Sequence, residues 1–200
     1  SGKPVKKEMA LAHPTDVALM EKGSSVTKVF VAAFHSDRIG VIEPVGSNPA
    51  GWTIRKIDVP VARHSTNQMA GPRGLAFKRT NPGLPGDPGA RLYALNRLDN
   101  SIAVIDPVAE KLLAVVALNN DPTPAHIRAG RRFHYDAKIS GHGFVACASC
   151  HLDGRTDGLA WKLSAPTSAA PTPLPKDLID GVTDGRILGM THFSNAKGPL

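Results

Sequence analysis

From Pro14 to Leu118 the chain alternates apolar and polar positions in short runs, the two-residue period of strands with a buried face. One stretch repeats. Lys28-Val-Phe-Val-Ala-Ala-Phe-His-Ser-Asp-Arg-Ile-Gly-Val-Ile-Glu-Pro44 aligns without gaps on Arg91-Leu-Tyr-Ala-Leu-Asn-Arg-Leu-Asp-Asn-Ser-Ile-Ala-Val-Ile-Asp-Pro107, 63 residues further on. Both copies run basic, apolar, aromatic, apolar, then a polar turn, then Ile-x-Val-Ile-acid-Pro. This predicts two strands joined by a turn at Ser36-Asp37 and again at Asp99-Asn100. Each closing proline ends its strand, because it cannot donate to a ladder.

The flanks repeat as well. Pro14–Leu19 and Pro72–Phe77 predict entry strands, and Trp52–Val59 and Lys111–Leu118 predict fourth strands. Two four-stranded units result, at about 14–60 and 72–119, and Val5–Leu11 has the pattern of the fourth strand of another unit. Lys78–Ala90, with Asn-Pro-Gly, Leu-Pro-Gly and Asp-Pro-Gly, predicts a loop inserted in the second unit.

At Asp121-Pro-Thr-Pro124 the strand pattern stops, and Ala125–Tyr135 has the spacing of a short helix. Ser164–Lys176, with four prolines, predicts an extended polar loop, and Asp177–Leu200 is Gly-rich with little regular structure. The expected domains are therefore 1–120 and 121–200.

Composition narrows the class. The 19 glycines and 17 prolines suit many short strands, and 42% apolar residues suffice for a core. No apolar run reaches the length of a membrane span. Ser1-Gly-Lys-Pro4 is followed by no apolar stretch of signal-peptide type, so either a signal has been removed or the chain is a piece of a longer one. The net charge of +7 favours acidic partners. The Lys and Arg residues are otherwise scattered and Lys3, Lys6 and Lys7 form only a small basic cluster, so nucleic acid is not expected; an anionic lipid, the acidic face of a redox protein, or simply a solvated, mildly basic surface remain open.

The only two cysteines stand in Cys147-Ala-Ser-Cys150-His151, a C-x-x-C-H sequence and the attachment signal for c-type haem. Residues i and i+3 share one face of a helical turn, so both thiols can reach the vinyl groups on one porphyrin edge. The next residue, His151, is then directed at the iron. Small Ala148 and Ser149 keep the turn clear of the ring plane. The competing readings fit less well. A zinc site needs four ligands and no second cysteine pair exists. A thioredoxin-type motif needs a βαβ context that is missing. A local disulfide leaves His151 without a role.

Two family resemblances follow from these residues. The repeats resemble the YVTN β-propeller repeats, whose blades end a hairpin strand on Val-Ile-Asp-Pro or a close variant. Two blades cannot close a ring, so this resemblance implies a partial propeller completed by further blades or subunits. Gly130, Phe133, Tyr135, Asp136, Ile139 and Ser140, standing before Cys147, resemble the first haem domain of the bacterial dihaem cytochrome c peroxidase and MauG superfamily. Thr191-His-Phe-Ser-Asn-Ala-Lys-Gly-Pro199 resembles that family's distal-histidine segment, which implies His192 as sixth iron ligand. Met190 is the rival, since Met/His ligation suits electron transfer. His134 and His142 are weaker candidates, and His13, His35 and His64 read as ordinary surface or core histidines. Arg155, between two Asp-Gly turns, could pair with a haem propionate or simply brace a turn.

The implied protein is mainly β, with propeller blades followed by a small α-helical cytochrome c-type domain. It carries one haem c, bound by Cys147, Cys150 and His151, in a periplasmic, extracellular or cell-surface setting. Its function is peroxidase-like or simple electron transfer. A third possibility makes the propeller a binding module and the haem a sensor or vestige. Whether the protein is an enzyme stays open at this point.

Overall fold

The computed structural model describes residues 6–62, 69–80, 87, 89–141, 143–151, 155, 161–162 and 196–197. The chain forms two compact units, Ser1–Cys150 and His151–Leu200.

In the first unit, β1 (Pro14–Lys22), β2 (Ser25–Ala33), β3 (Arg38–Glu43) and β4 (Thr53–Asp58) form one antiparallel sheet in sequence order. A second antiparallel sheet, also in sequence order, is built from β5 (Pro72–Lys78), β6 (Arg91–Asn96), β7 (Ser101–Asp106) and β8 (Lys111–Ala117). Helix α1 is Ala125–Tyr135, and 3-10 turns cover Ala137–Ile139 and Cys147–Ser149. In the second unit, β9 (Trp161–Lys162) pairs antiparallel with β10 (Ala196–Lys197).

The 63-residue repeat is carried into the registers. Phe30 faces Val41 across β2 and β3, and Tyr93 faces Val104 across β6 and β7. Asp37 and Asn100, also 63 apart, both take left-handed backbone, at φ 55° and 50°. Asp and Asn tolerate that conformation best among residues with a Cβ.

The sheets stack face to face, and the core lies between them. The first sheet contributes Phe30, Ala32, Ile39 and Val41, and the second contributes Leu92, Ala94, Ala103 and Ile105. These two sets do not correspond in the repeat. Phe30 aligns with Tyr93, whereas the core uses Leu92, so the second sheet turns in the face that the first turns out. Val41 is buried while Val104 is only half-buried. The two valines hold the same place in their sheets, but Val41 faces the core between the sheets and Val104 faces outward.

Both outer faces are consequently apolar. On the first sheet, Leu19, Val29, Ile42 and Ile54 form one row across four strands. On the second, Leu95, Ile102 and Val116 follow Gly74 across theirs. Polar clamps hold the sheets together at the interface rim. Lys28 Nζ donates to the carbonyls of Pro107 and Val108 and pairs with Glu110 at 2.7 Å. Arg55 bonds Glu110 at 2.6 and 2.7 Å, and also Glu43 at 2.8 Å.

Three expectations are corrected. The expected partial propeller is replaced by two antiparallel four-stranded sheets, which hold eight of the strands among the described residues and form no closed ring, since each sheet covers only one face of the other. They also hold one α-helix, of 11 residues. A helical cytochrome domain is therefore not supported. Beyond Tyr135 the chain meets Gly141 and Gly143, the latter at φ 74°, where helix cannot propagate. In addition, Lys7–Met9 is a 3-10 turn rather than part of a strand. Buried Arg38 accounts for it, because Nη1 donates to the carbonyls of Ala10 (2.7 Å) and Lys7 (3.2 Å), which a ladder would otherwise use.

Candidate functional site

The turn from β2 to β3 anchors the site. Phe34, His35, Ser36 and Asp37 are all buried, so their polar groups need partners. Phe34 and His35 donate their N–H groups to the carbonyls of His13 and Ala12, each at 3.1 Å. Ser36 Oγ accepts from Ala12 N at 2.8 Å. The Asp37 carboxylate accepts from Gly71 N at 2.8 Å and from Lys138 Nζ at 2.5 Å. Burial pushes its pKa up, and Lys138 opposes that rise.

Helix α1 brings the chain back to this turn. Pro124, with its fixed φ, stands at the N-cap. Arg131 ties the helix to Asp121 (3.1 Å) and to the Leu98 carbonyl (2.9 Å). Asp136 ends the helix by donating its N–H to Arg132 O at 3.0 Å, and its carboxylate starts the next turn by accepting from Lys138 N at 2.8 Å. Ala137 N then donates to His35 O at 2.9 Å, which fixes the segment on the first sheet.

The cysteines lie just beyond. Cys147–Ser149 is a single 3-10 turn, closed by Cys150 N donating to Cys147 O at 3.2 Å. Positions three apart in such a turn stand one above the other along its axis. Ser149 Oγ accepts from Ala146 N at 3.0 Å and lies 3.5 Å from His35 Nδ1. Ala148 is buried. The small residues between the cysteines thus serve packing and hydrogen bonding on the protein side. Cys147 is exposed and Cys150 is 8% exposed.

His35 is the residue that sequence reasoning missed. It stacks on His13 with centroids 4.2 Å apart and an interplanar angle of 20°. Phe34 and Tyr135 lie beside it, with centroids at 5.1 and 5.8 Å. Burial first, then the neighbouring His13 and His134, pushes its pKa down to about 3. It is therefore a neutral imidazole near pH 7, supporting the turn between the two cysteines. Nothing local could reveal this, since 114 residues separate His35 from Ser149.

Around this turn the chain leaves several large apolar side chains exposed: Ile127, Phe133, Ile139, Phe144 and Val145. Arg132 lies over the Phe133 ring at 4.5 Å. His151, half-buried, follows Cys150 directly and begins the second unit, where Arg155 is exposed. His192 and Met190 lie outside the described residues, as does His142. Among the described residues, no three His, Cys, Asp or Glu side chains are grouped to hold a metal ion.

A c-type haem asks the chain for two thiols on one turn and an adjoining imidazole. Cys147 and Cys150 stand three apart on one turn, the first exposed and the second buried, and His151 follows in sequence. No helix among the described residues is long and apolar enough to cross a membrane. In comparisons with known proteins, no family model and no curated protein matches this chain.

Proposed function

We propose that this chain is a c-type haem protein that passes electrons or oxidising equivalents through one haem, held covalently by Cys147 and Cys150 with His151 as proximal ligand. One observation carries the reading: both thiols stand on a single i→i+3 turn immediately before a histidine. When bound, the haem supplies one-electron redox chemistry. The protein's part is positional. Ser149 and His35 brace the turn, and Ala137 N on His35 O holds the approach to it. Exposed Phe133, Phe144 and Val145 offer apolar surface of the kind a porphyrin covers.

The charge of +7 favours an acidic redox partner, and further subunits are expected partners as well. Thioether attachment to C-x-x-C-H takes place outside the cytoplasm, so the protein belongs in the periplasm, outside the cell or on its surface. Resemblance favours His192 as the distal ligand and a peroxidase-like oxidoreductase. Met190 as ligand would make it a simple electron carrier. Arg155 is the candidate partner for a propionate.

Protein made with a cytochrome c maturation system should keep its colour when denatured and weigh one haem more than the polypeptide. Cys147→Ala with Cys150→Ala should abolish both. Release of haem from the denatured wild type into acid-acetone would overturn the linkage. His192→Ala should turn a low-spin ferric spectrum high-spin. A spectrum changed by Met190→Ala, and untouched by His192→Ala, assigns the simple electron carrier instead.

A further inference from the structure

The two outer sheet faces are the largest feature that the haem reading leaves unused. Val17 (55% exposed), Leu19 and Ile54 (53%) stand on the first, and Leu95 (47%) and Val116 (51%) on the second. Contiguous apolar surface of this kind marks an interaction site more often than idle surface.

The repeat identifies the occupant. Through the 63-residue correspondence the four faces are of two kinds. One kind carries Phe30 and Val41 on the first sheet, and Tyr93 and Val104 on the second. The other carries Val29 and Ile42 on the first, and Leu92 and Ile105 on the second. Inside the chain, the first kind from one sheet packs on the second kind from the other. What remains outside is one face of each kind, the same complementary pair.

We propose that a second copy of this chain docks head-to-tail, setting the outer face of its first sheet on the outer face of the second sheet of its neighbour. The contact repeats between copies what the fold already makes within one. Polar groups at the rim correspond too. Lys28 donates to the carbonyls of Pro107 and Val108. Arg91 stands at the position of Lys28, and Pro44-Val45 at that of Pro107-Val108. Leu11 lies over Gly40, where a Cβ would meet its Cδ1 at 2.5 Å. Gly40 corresponds to Ala103 of the second sheet, so Leu11 covers the position at which Ala103 carries its methyl. The interface is heterologous, with different patches meeting. It is independent of the haem reading, because it rests on strand registers alone.

Sedimentation velocity on the intact chain over roughly 1–100 µM, a range where weak interfaces declare themselves, should show concentration-dependent association. Ile54→Lys blocks one face, and Leu95→Lys with Val116→Lys blocks the other. These sites are exposed, so circular dichroism should be unchanged. Each variant alone should be monomeric, with association weakened at least about tenfold (the effect of some 1.4 kcal/mol). An equimolar mixture should give a 1:1 heterodimer and nothing larger, since each partner keeps only the face that the other needs. A wild type that stays monomeric across the range overturns the proposal, whatever covers the faces. A single variant that still dimerises by itself also overturns it, because like would then be pairing with like.

Discussion

His35 is a titratable side chain sealed where a proton is unwelcome. Its pKa falls from the ordinary 6.5 to about 3 in the fold, chiefly through burial. His13, stacked on it, and His134 add to the effect, while Tyr135, Phe34 and Ser149 complete its surroundings. Below pH 6.5 the unfolded chain takes up a proton that the folded chain refuses. The stabilisation is therefore complete above pH 6.5 and is lost as pH falls from 6.5 towards 3. His35→Gln keeps a polar group near Ser149 but removes the titration. Thermal melts should show the wild type losing at least ~2 °C more than His35→Gln between pH 6.5 and 4. Parallel curves would assign the acid sensitivity elsewhere. Gly71 makes a second residue-scale case. At φ 65° it packs so closely that a Cβ would lie 2.6 Å from Leu98 Cγ and 2.9 Å from Phe34 Cε2. Gly71→Ala should cost more than about 1 kcal/mol in urea unfolding, through backbone strain and overlap together. The sequence held no hint of either residue's role, because His35 depends on Ser149 and Gly71 on Leu98, both far along the chain.

Elements were far more legible. All eight strands of the two sheets and helix Ala125–Tyr135 follow from alternation, closing prolines and the Pro-Thr-Pro stop. Such signals are local, and local signals survive into the fold wherever tertiary contacts agree with them. At Lys7–Met9 they disagree. There Arg38, some thirty residues away, takes the carbonyls and a turn replaces the strand. The face each sheet turns inward was likewise invisible, since both faces read apolar. The clamp between the sheets also joins distant elements. Glu110, after β7, has its pKa lowered to about 2, first by its hydrogen bonds from Arg55 and then by Lys28. Its depressed pKa makes the contribution complete above about 4.5 and lost as pH falls from there towards 2. Glu110→Gln should flatten that acid limb and cost only ~1 kcal/mol at neutral pH, since solvent screens a pair at the rim. An acid limb unchanged in Glu110→Gln would remove the clamp from the account.

For the whole molecule, the resemblance-based plan of blades followed by a helical domain did not carry over, and the two cysteines stand at the ends of one 3-10 turn. That turn stands against a finished sheet, and this has a consequence for biogenesis. Cys147 faces solvent while Cys150 is 8% exposed, and the segment before the turn is held to the first sheet by the bond from Ala137 N to His35 O. A chain that folds before it meets its maturation machinery therefore offers one thiol promptly. The other becomes available only through local opening. Folded, cofactor-free protein given a limiting pulse of iodoacetamide should be alkylated at Cys147 at least about tenfold faster than at Cys150, and the difference should vanish in urea, where no opening equilibrium remains. Equal rates in the native protein would mean that the turn is already loose. If the difference holds, attachment competes with folding, and the order in which a nascent chain meets enzyme or sheet decides how much of it matures.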